Sequence, residues 1–479
     1  MTPPGRIDSP PVRAVRSLPP PGGLLPAPFF RLSPAASIPS AMPYTLPSHD
    51  IPLEDGFDVL VAGGGPEGCA AAAAAARAGA RTILLERGGA LGGMGTLGLV
   101  PAWCPGSDGV RTVYGGLARL VRHRATEALP FVDPDDQGWT PIDAEALKRV
   151  YDDLLEEAGA EVRFETLLAE VRRAADGRVE AVVAADKTGL RAFRAKVYVD
   201  ATGDADLAAR AGAQTVTGDG RGAVQASTLC FHLDNVDTCA FEHQGSIRYG
   251  KEPRCIDAIV ASPAYPRIDD GHACANLVGP AAVGLNAGHL RDVDATDPRS
   301  TSPAYREGRR IAREFRDALR EHFPAAFGNA RIAATAPAMG VRESRRIVGD
   351  FALSREDYVA RRSFPDEISR NCYYLDIHDT HADGTVSHDP VRYGAGESHG
   401  IPYRCLVPRG LSDVLVAGRC ISTDREVQGS TRVMPNCLCT GEAAGTAAAM
   451  AARLPVPDVR AVDVAALRED LRAHGAYLP

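Results

Sequence analysis

The chain has 479 residues, a formal net charge of -8, and 45% hydrophobic and 24% charged residues, the make-up of a globular protein of two or three structural units. It holds no basic tract suited to nucleic acid, and no apolar run reaches the eighteen or so residues needed to cross a bilayer. Eleven cysteines lie scattered without the paired spacing of a secreted disulfide framework, so the reducing cytoplasm is the expected compartment.

Residues 1–50 contain 13 of the 36 prolines, almost no acid and no helical or strand period. They are expected to form a disordered leader without chemistry, with Met42 a candidate start. The next segment, Phe57 to Thr96, is the most legible in the chain. An apolar run, Val59 to Ala62, predicts a buried strand. Gly63, Gly65 and Gly68 follow at dinucleotide spacing, and Cys69 to Ala78 predicts a helix stopped by Gly79. A second strand, Thr82 to Leu85, ends on Glu86. Gly63 suits a tight turn, Gly65 the close approach of a pyrophosphate, and Gly68 the packing of helix on strand. The helix N-terminus would offer its amides to phosphate, and the Glu86 carboxylate would accept from ribose hydroxyls.

Leu117 to Ala128 predicts a helix, and Asp143 to Ala158 a second, with Asp143 as N-cap and Gly159 as stop. Val162 to Val171 reads as a strand and its extension. A meander turns at Asp176-Gly177 and at Lys187 to Gly189, and Lys196 to Val199 leads into Asp200-Ala201-Thr202-Gly203-Asp204. From Phe231 to Ala338 the pattern is less regular, apart from a helix over Ala304 to His322. Near the end, Val414 to Ala417 predicts a buried strand ending at Gly418-Arg419. Thr440 to Ala452 predicts a small-residue helix opened by Thr440-Gly441, and a short capping helix closes the chain.

The β-α-β unit, the Ala201 to Asp204 turn and the late strand-Gly-helix together resemble the FAD-dependent oxidoreductase family of the glutathione-reductase-like flavoprotein superfamily. Relatives in that family include the flavin subunit of heterodisulfide reductase. Further matching stretches are Leu91 to Thr96, Val341 to Ile347, Leu375 to Asp379, Ile401 to Arg404, Arg432 to Pro435 and Gly441 to Gly445. The resemblance implies an α/β fold with a Rossmann-like, three-layer FAD-binding domain of ββα type, assembled from both ends of the chain around an inserted α+β substrate domain. The implied bounds are 51–230 and 401–455 for the FAD-binding parts, 231–400 for the substrate domain and 456–479 for the cap.

It also implies roles. Glu86, with Arg87 beside it, would bind the adenosine ribose. Gly92, Gly93 and Thr96 would pass the pyrophosphate toward the flavin. Thr202 and Gly203 would lie near the adenosine, and Gly418-Arg419 would face the diphosphate or ribityl chain. Arg432 and Met434 would line the flavin. The helix opened by Gly441 would aim its N-terminus at the pyrimidine edge of the ring, where its dipole favours the reduced anion. An NAD dehydrogenase shares the glycine fingerprint but does not need the carboxy-terminal strand and helix.

Absences narrow the chemistry. There is no second GxGxxG unit for a nicotinamide domain and no close cysteine pair after the fingerprint. Cys104 stands alone and is expected to be a packed thiol. A [4Fe-4S] cluster would follow from family transfer, but the closest pair, Cys437-x-Cys439, does not supply the CxxCxxC spacing. No residues are assigned to a metal. His378 suits proton transfer while hydride passes between a substrate carbon and flavin N5, or else is a hydrogen-bonded structural histidine. Arg342, Arg345 and Arg346 suit an anionic or hydroxyl substrate, or else pair with Glu343 or Asp350. Tyr403 and Arg404 are pocket or domain-junction residues, and His289, near Asn286, is a weaker pocket candidate. The expected function is an FAD-dependent oxidoreductase acting on a small polar organic molecule. The alternative is an electron-transfer flavin subunit with an iron-sulfur partner. An electron-acceptor protein or a second copy of the chain are further candidate partners; membrane and nucleic acid are not expected.

Overall fold

A computed structural model describes residues 50–220, 222–243, 255–380, 386–387 and 391–479. The expected leader, with its candidate start at Met42, lies outside the described residues apart from Asp50. The opening strand runs Leu53–Ala62 and is followed by the helix Pro66–Arg77 and the strand Thr82–Leu85. Val59 to Ala62 and the whole of Thr82–Leu85 are buried, as expected of parallel strands covered on both faces.

These strands sit in a seven-stranded sheet. Its order is Glu161–Arg163, Thr82–Leu85, Leu53–Ala62, Gly189–Asp200, Val179–Asp186 and Leu167–Arg173. The long strand Gly189–Asp200 does two jobs. Its first half pairs antiparallel with the meander, Phe193 opposite Val182. Its second half is the parallel neighbour of the opening strand, Val199 opposite Val61, and takes Val414–Val416 on its other edge, Leu415 opposite Val199. A strand more than 200 residues downstream therefore completes the same sheet.

The stretch Val162 to Val171 is two strands, not one with an extension. Glu161–Arg163 ends the parallel part and Leu167–Arg173 begins the meander; Glu165 between them has a φ of 50°, a left-handed turn that no continuous strand accommodates.

The helix Ala144–Ala158 is as expected: the Asp143 side chain accepts from the Glu145 and Ala146 amides, and Gly159 closes it at a φ of 76°. Two other helices begin earlier than the sequence pattern suggests. The long one starts at Pro298, capped by Asp297, and carries Pro303 inside it; the proline hid its first turn from a propensity reading. The late one starts at Met434, with Pro435 in its first turn, a position where proline costs no hydrogen bond. Gly441 is consequently in its second turn and not at its end.

That late helix lies on Pro66–Arg77 with its small residues inward. A Cβ on Gly441 would overlap the Glu67 carbonyl, and one on Gly445 the Ala71 carbonyl. The i, i+4 glycines meet the i, i+4 backbone of the alanine-rich helix, so the two axes approach more closely than larger side chains permit.

The stretch after Phe231 is more regular than expected. Ala273–Gly279, Ala282–Ala287, Phe231–Asp234 and Arg331–Thr335 form an antiparallel sheet. The helix Pro298–His322 covers it, with Phe315 and Phe231 6.0 Å apart ring to ring. Leu233, Leu285, Ile311 and Leu319 fill the same buried cluster. The apolar residues here alternate over only a few positions per strand, too few for the period to show through the intervening loops.

Candidate functional site

A single cavity of about 720 Å³ runs from the glycine turn to the antiparallel sheet, within the range of cofactor and small-ligand sites. At one end the opening strand turns at Gly63 with a φ of 97°. The helix then begins at Gly65, an N-cap with no side-chain hydrogen bond, so the first-turn amides are left for a ligand. A Cβ on Gly68 would overlap the Gly63 carbonyl, which is why helix and turn can touch. Glu86 is buried at the rim of this end. Its oxygens accept the Gly64 N–H at 2.7 Å and the Gly88 N–H at 2.6 Å, so it also holds the turn in shape. Each oxygen keeps further acceptor capacity.

Gly93 lines the cavity, as do Arg87, Thr202 and Gly203. The Thr202 turn is tied down by Asp200, which accepts from the Thr202 amide at 3.1 Å and its hydroxyl at 2.8 Å. Arg419 lines the cavity against this turn and donates to Asp204 at 2.8 Å and to the Ser344 hydroxyl at 3.0 Å. Burial pushes Asp204 up, but the Arg419 charge and these hydrogen bonds outweigh it and hold the carboxyl below its ordinary range. Glu67, in the first helical turn, is carried by burial up to about 7.

Several predicted residues support the cradle without lining it. Gly92, at a φ of 93°, lies against Tyr151, and the buried Thr96 hydroxyl donates to the Leu91 carbonyl at 2.5 Å. Gly418, at a φ of 80°, faces the Glu67 side chain. Gly441 packs helix on helix; the helix end that faces the cavity is formed by Met434 and Pro435.

Two predicted substrate residues are elsewhere. Arg345 donates to the Asp204 carbonyl at 2.8 Å and pairs with Asp206; it braces the adjoining turn and is outside the cavity lining. Tyr403 is buried in the main core and donates to the Val459 carbonyl at 2.8 Å. Its neighbour Arg404 pairs with Asp366 at 2.8 Å, and Arg346 with Glu343 at 2.7 Å. Both corrections have one cause: residue type and motif position do not show on which side of a short extended segment a side chain falls.

The far end of the cavity gathers buried charge. Arg342 donates to the Ala226 carbonyl at 2.6 Å and the Thr228 hydroxyl at 2.9 Å, and stands 3.2 Å from His272 Nε2. Three of its five N–H groups are thus engaged. Burial, then the nearby Arg432 charge, lowers it to about 10. Arg432 donates to Asp376 at 2.9 Å, and His378 Nε2 lies 3.3 Å from the other Asp376 oxygen. Burial and then the Arg342 charge push His378 well below 6.5, so it is neutral at neutral pH and able to accept a proton.

A match to the family described as FAD dependent oxidoreductase extends over residues 58–471. The chain belongs to the FAD-dependent oxidoreductase family. Its cradle suits that cofactor: an uncapped helix N-terminus, glycines where a Cβ would collide, a rim carboxylate and an arginine beside the Thr202-Gly203 turn.

Among curated proteins, digeranylgeranylglycerophospholipid reductase 2 of Methanopyrus kandleri is 36% identical over 160 residues, 31% of this chain. The match spans 37% of that relative's length. Among solved structures, a geranylgeranyl bacteriochlorophyll reductase-like protein of Thermoplasma acidophilum is 14% identical, with a TM-score of 0.43, over 88% of this chain and 83% of that one. A p-nitrophenol 4-monooxygenase of Pseudomonas putida is 12% identical, with a TM-score of 0.46, over 84% of this chain and 81% of that one. Neither of these two likenesses carries chemistry.

For an FAD-dependent oxidoreductase the wall facing the cradle decides what can be bound, and most of it escaped sequence reading. Tyr373 and Tyr374 stack with centroids 4.2 Å apart, Trp139 meets Tyr373 edge-on at 6.3 Å, and the Arg392 guanidinium sits 4.3 Å over Tyr374. Asp376 lies inside a stretch quoted for its family likeness, and that was the one available signal. His272 and His289 carried none that ties them to His378. The three imidazoles bring nitrogens within 4.8 Å of one another. His272 and His289 stack at 4.2 Å with 23° between planes, so their in-plane lone pairs run side by side and do not converge on a point, as a shared metal ion requires.

Proposed function

We propose that the protein oxidises or reduces a small polar organic molecule, as a member of the glutathione-reductase-like superfamily, with His378 as acid or base and Arg342 as the anchor for a substrate oxygen. One observation carries this reading: the nucleotide cradle and the buried Arg342, Asp376 and His378 group open on the same cavity. FAD, when bound, supplies the two-electron acceptor or donor. The chain's own residues supply the rest. Arg342 offers its remaining N–H groups to a hydroxyl, carbonyl or carboxylate oxygen. His378, neutral and buried, takes a proton from a hydroxyl or amine at Nε2, which lies 3.3 Å from an Asp376 oxygen able to accept that hydrogen. The Tyr373, Tyr374 and Trp139 wall offers ring faces to the substrate.

The Methanopyrus kandleri relative's name describes a reductase of a digeranylgeranyl lipid. In this chain an isoprenyl group at the same end would lie against Arg342, Asp376 and Arg432 and would leave the remaining N–H groups of Arg342 without an acceptor, at a cost of about 1–3 kcal/mol. A polar substrate compensates them, so it is favoured. The test is anaerobic bleaching of the flavin absorption band in the purified protein, screened against small alcohols, sugars, amines and hydroxy acids. Bleaching by one class, abolished in Arg342→Ala, is the expected result. A colourless protein that takes up no added FAD would overturn the reading.

A further inference from the structure

His378 is one end of a row of hydrogen-bonding groups. Its Nδ1 lies 3.0 Å from His289 Nε2, and His289 Nδ1 lies 2.7 Å from Asp270 Oδ2. The second Asp270 oxygen accepts the His272 backbone N–H at 2.9 Å, and Arg291 reaches Oδ2 at 3.3 Å. Exposure of the side chains rises along the row, from 3% for His289 to 14% for Asp270 and 40% for the adjacent Asp269. His378, at 6%, faces the cavity. We propose that Asp270, His289 and His378 form a proton relay, in which Asp270 sets the tautomer of His378 through His289 and protons pass between the cavity and the protein surface. The proposal rests on the acid/base reading of His378.

The proton inventory follows from the contacts. Burial raises Asp270, but the His289 hydrogen bond and charge, the His272 amide and Arg291 outweigh it and hold the carboxyl below its ordinary range. An ionised carboxylate has no hydrogen to give, so the hydrogen of the first link is on His289 Nδ1. His289 is itself lowered, by burial first, so its Nε2 carries a lone pair and the hydrogen of the second link is on His378 Nδ1. The accepting lone pair of His378 is then on Nε2, on the Asp376 side. Asp376 is a second carboxylate at this ring, so three links share the two hydrogens of two neutral imidazoles: Asp270 to His289 at 2.7 Å, His289 to His378 at 3.0 Å and Asp376 to His378 at 3.3 Å. The longest, at His378 Nε2, is the link left without a hydrogen; Arg342 and His272 also face the ring.

When the substrate's O–H or N–H bond breaks, its proton joins His378 Nε2. The Nδ1 proton of His378 crosses to His289 Nε2, and the Nδ1 proton of His289 crosses to Asp270 Oδ2. Three protons each move one place. Both rings end neutral in the opposite tautomer, and Asp270 passes its proton to water.

The test is long-range ¹H–¹⁵N correlation spectroscopy of the FAD-loaded protein labelled at histidine nitrogen, assigned with His289→Gln and His378→Gln. The expected result is the Nδ1–H tautomer for both His289 and His378. Asp270→Asn is expected to invert both. Its Oδ1 stays on the His272 amide, its Nδ2 then donates to His289 Nδ1, and the proton order reverses down the row. Flavin bleaching in this variant should slow by about a hundredfold or more. An Nε2–H signal for His378 in the parent protein, or a His378 spectrum untouched by Asp270→Asn, would overturn the relay. If the variant does not fold, the parent spectrum decides alone. The outcomes separate cleanly: His378→Ala bleaching at the parent rate removes the acid/base reading and leaves the tautomer result standing.

Discussion

At the residue scale, the cavity's chemistry depends on keeping one imidazole neutral beside two guanidinium groups. His378 has its proton affinity lowered first by burial and then by Arg342, and the sign of the consequence is definite. The folded value lies well below 6.5, so the ring is unprotonated throughout the neutral range. The rate of flavin reduction by substrate is expected to stay level from about pH 6.5 upward and to fall only below the depressed value. Initial rates against pH measure this, and His378→Ala should lower the rate by about 10² to 10⁴. This residue was legible because it sits in a motif. Its partner Asp270 was not, and His289 stood out only as a weaker pocket candidate with no tie to His378: both come from loops more than 80 residues upstream, and only the folded chain closes that separation.

At the element scale, two helix contacts hold the cradle. Gly445 lets Met434–Ala452 rest on the backbone of Pro66–Arg77. Gly445→Val would drive two methyl groups into the Ala71 carbonyl, at a cost of about 3 kcal/mol. The expected outcome is a lower midpoint in thermal denaturation and weaker FAD retention. Glu442, on the same helix, accepts the Leu117 amide at 2.9 Å at the start of Gly116–Glu127. Burial raises its carboxyl to about 7 from 4.5, so between those values the folded state holds a proton that the unfolded state has lost. Stability is therefore lost as pH rises through that window. Glu442→Gln keeps the acceptor and removes the charge. Its melting midpoint should exceed the parent's at pH 8, by up to about 3 kcal/mol of stability, and match it near pH 5. Equal midpoints at both pH values would contradict this. The glycine spacing of this helix was visible in the sequence, but its start was displaced from Thr440 to Met434, because Pro435 reads as a breaker unless the first turn is already known.

At the scale of the whole molecule, the site is assembled from segments far apart in the chain. Val414–Val416 completes the parallel sheet begun at Leu53–Ala62, and the helix after it covers the glycine turn's own helix. A chain ending at residue 400 retains the whole glycine fingerprint. It is nevertheless expected to bind no FAD and to unfold without a cooperative transition, because the sheet edge and the helix face it leaves open are buried in the intact protein. In the full chain, FAD at 100 times its dissociation constant should add about 2.7 kcal/mol of stability, read as a rise in the melting midpoint of the flavin-free protein. Among the described residues no helix is long and apolar enough to cross a membrane.

By itself the sequence determined the dinucleotide half of the site. The turn of Gly63, Gly65 and Gly68, the strand ending on Glu86 and the Thr202-Gly203 corner are local patterns, each set by backbone geometry within a few residues, so period and spacing reveal them. The tertiary structure decided the other half. It placed Arg345 and Tyr403 away from the cavity and brought His272, His289 and Asp376 to Arg342 and His378. It also built the aromatic wall from Trp139, Tyr373 and Tyr374. Those choices depend on which face of each short strand or loop turns inward, and that is settled by packing between segments distant in the chain, for which a linear pattern carries no sign.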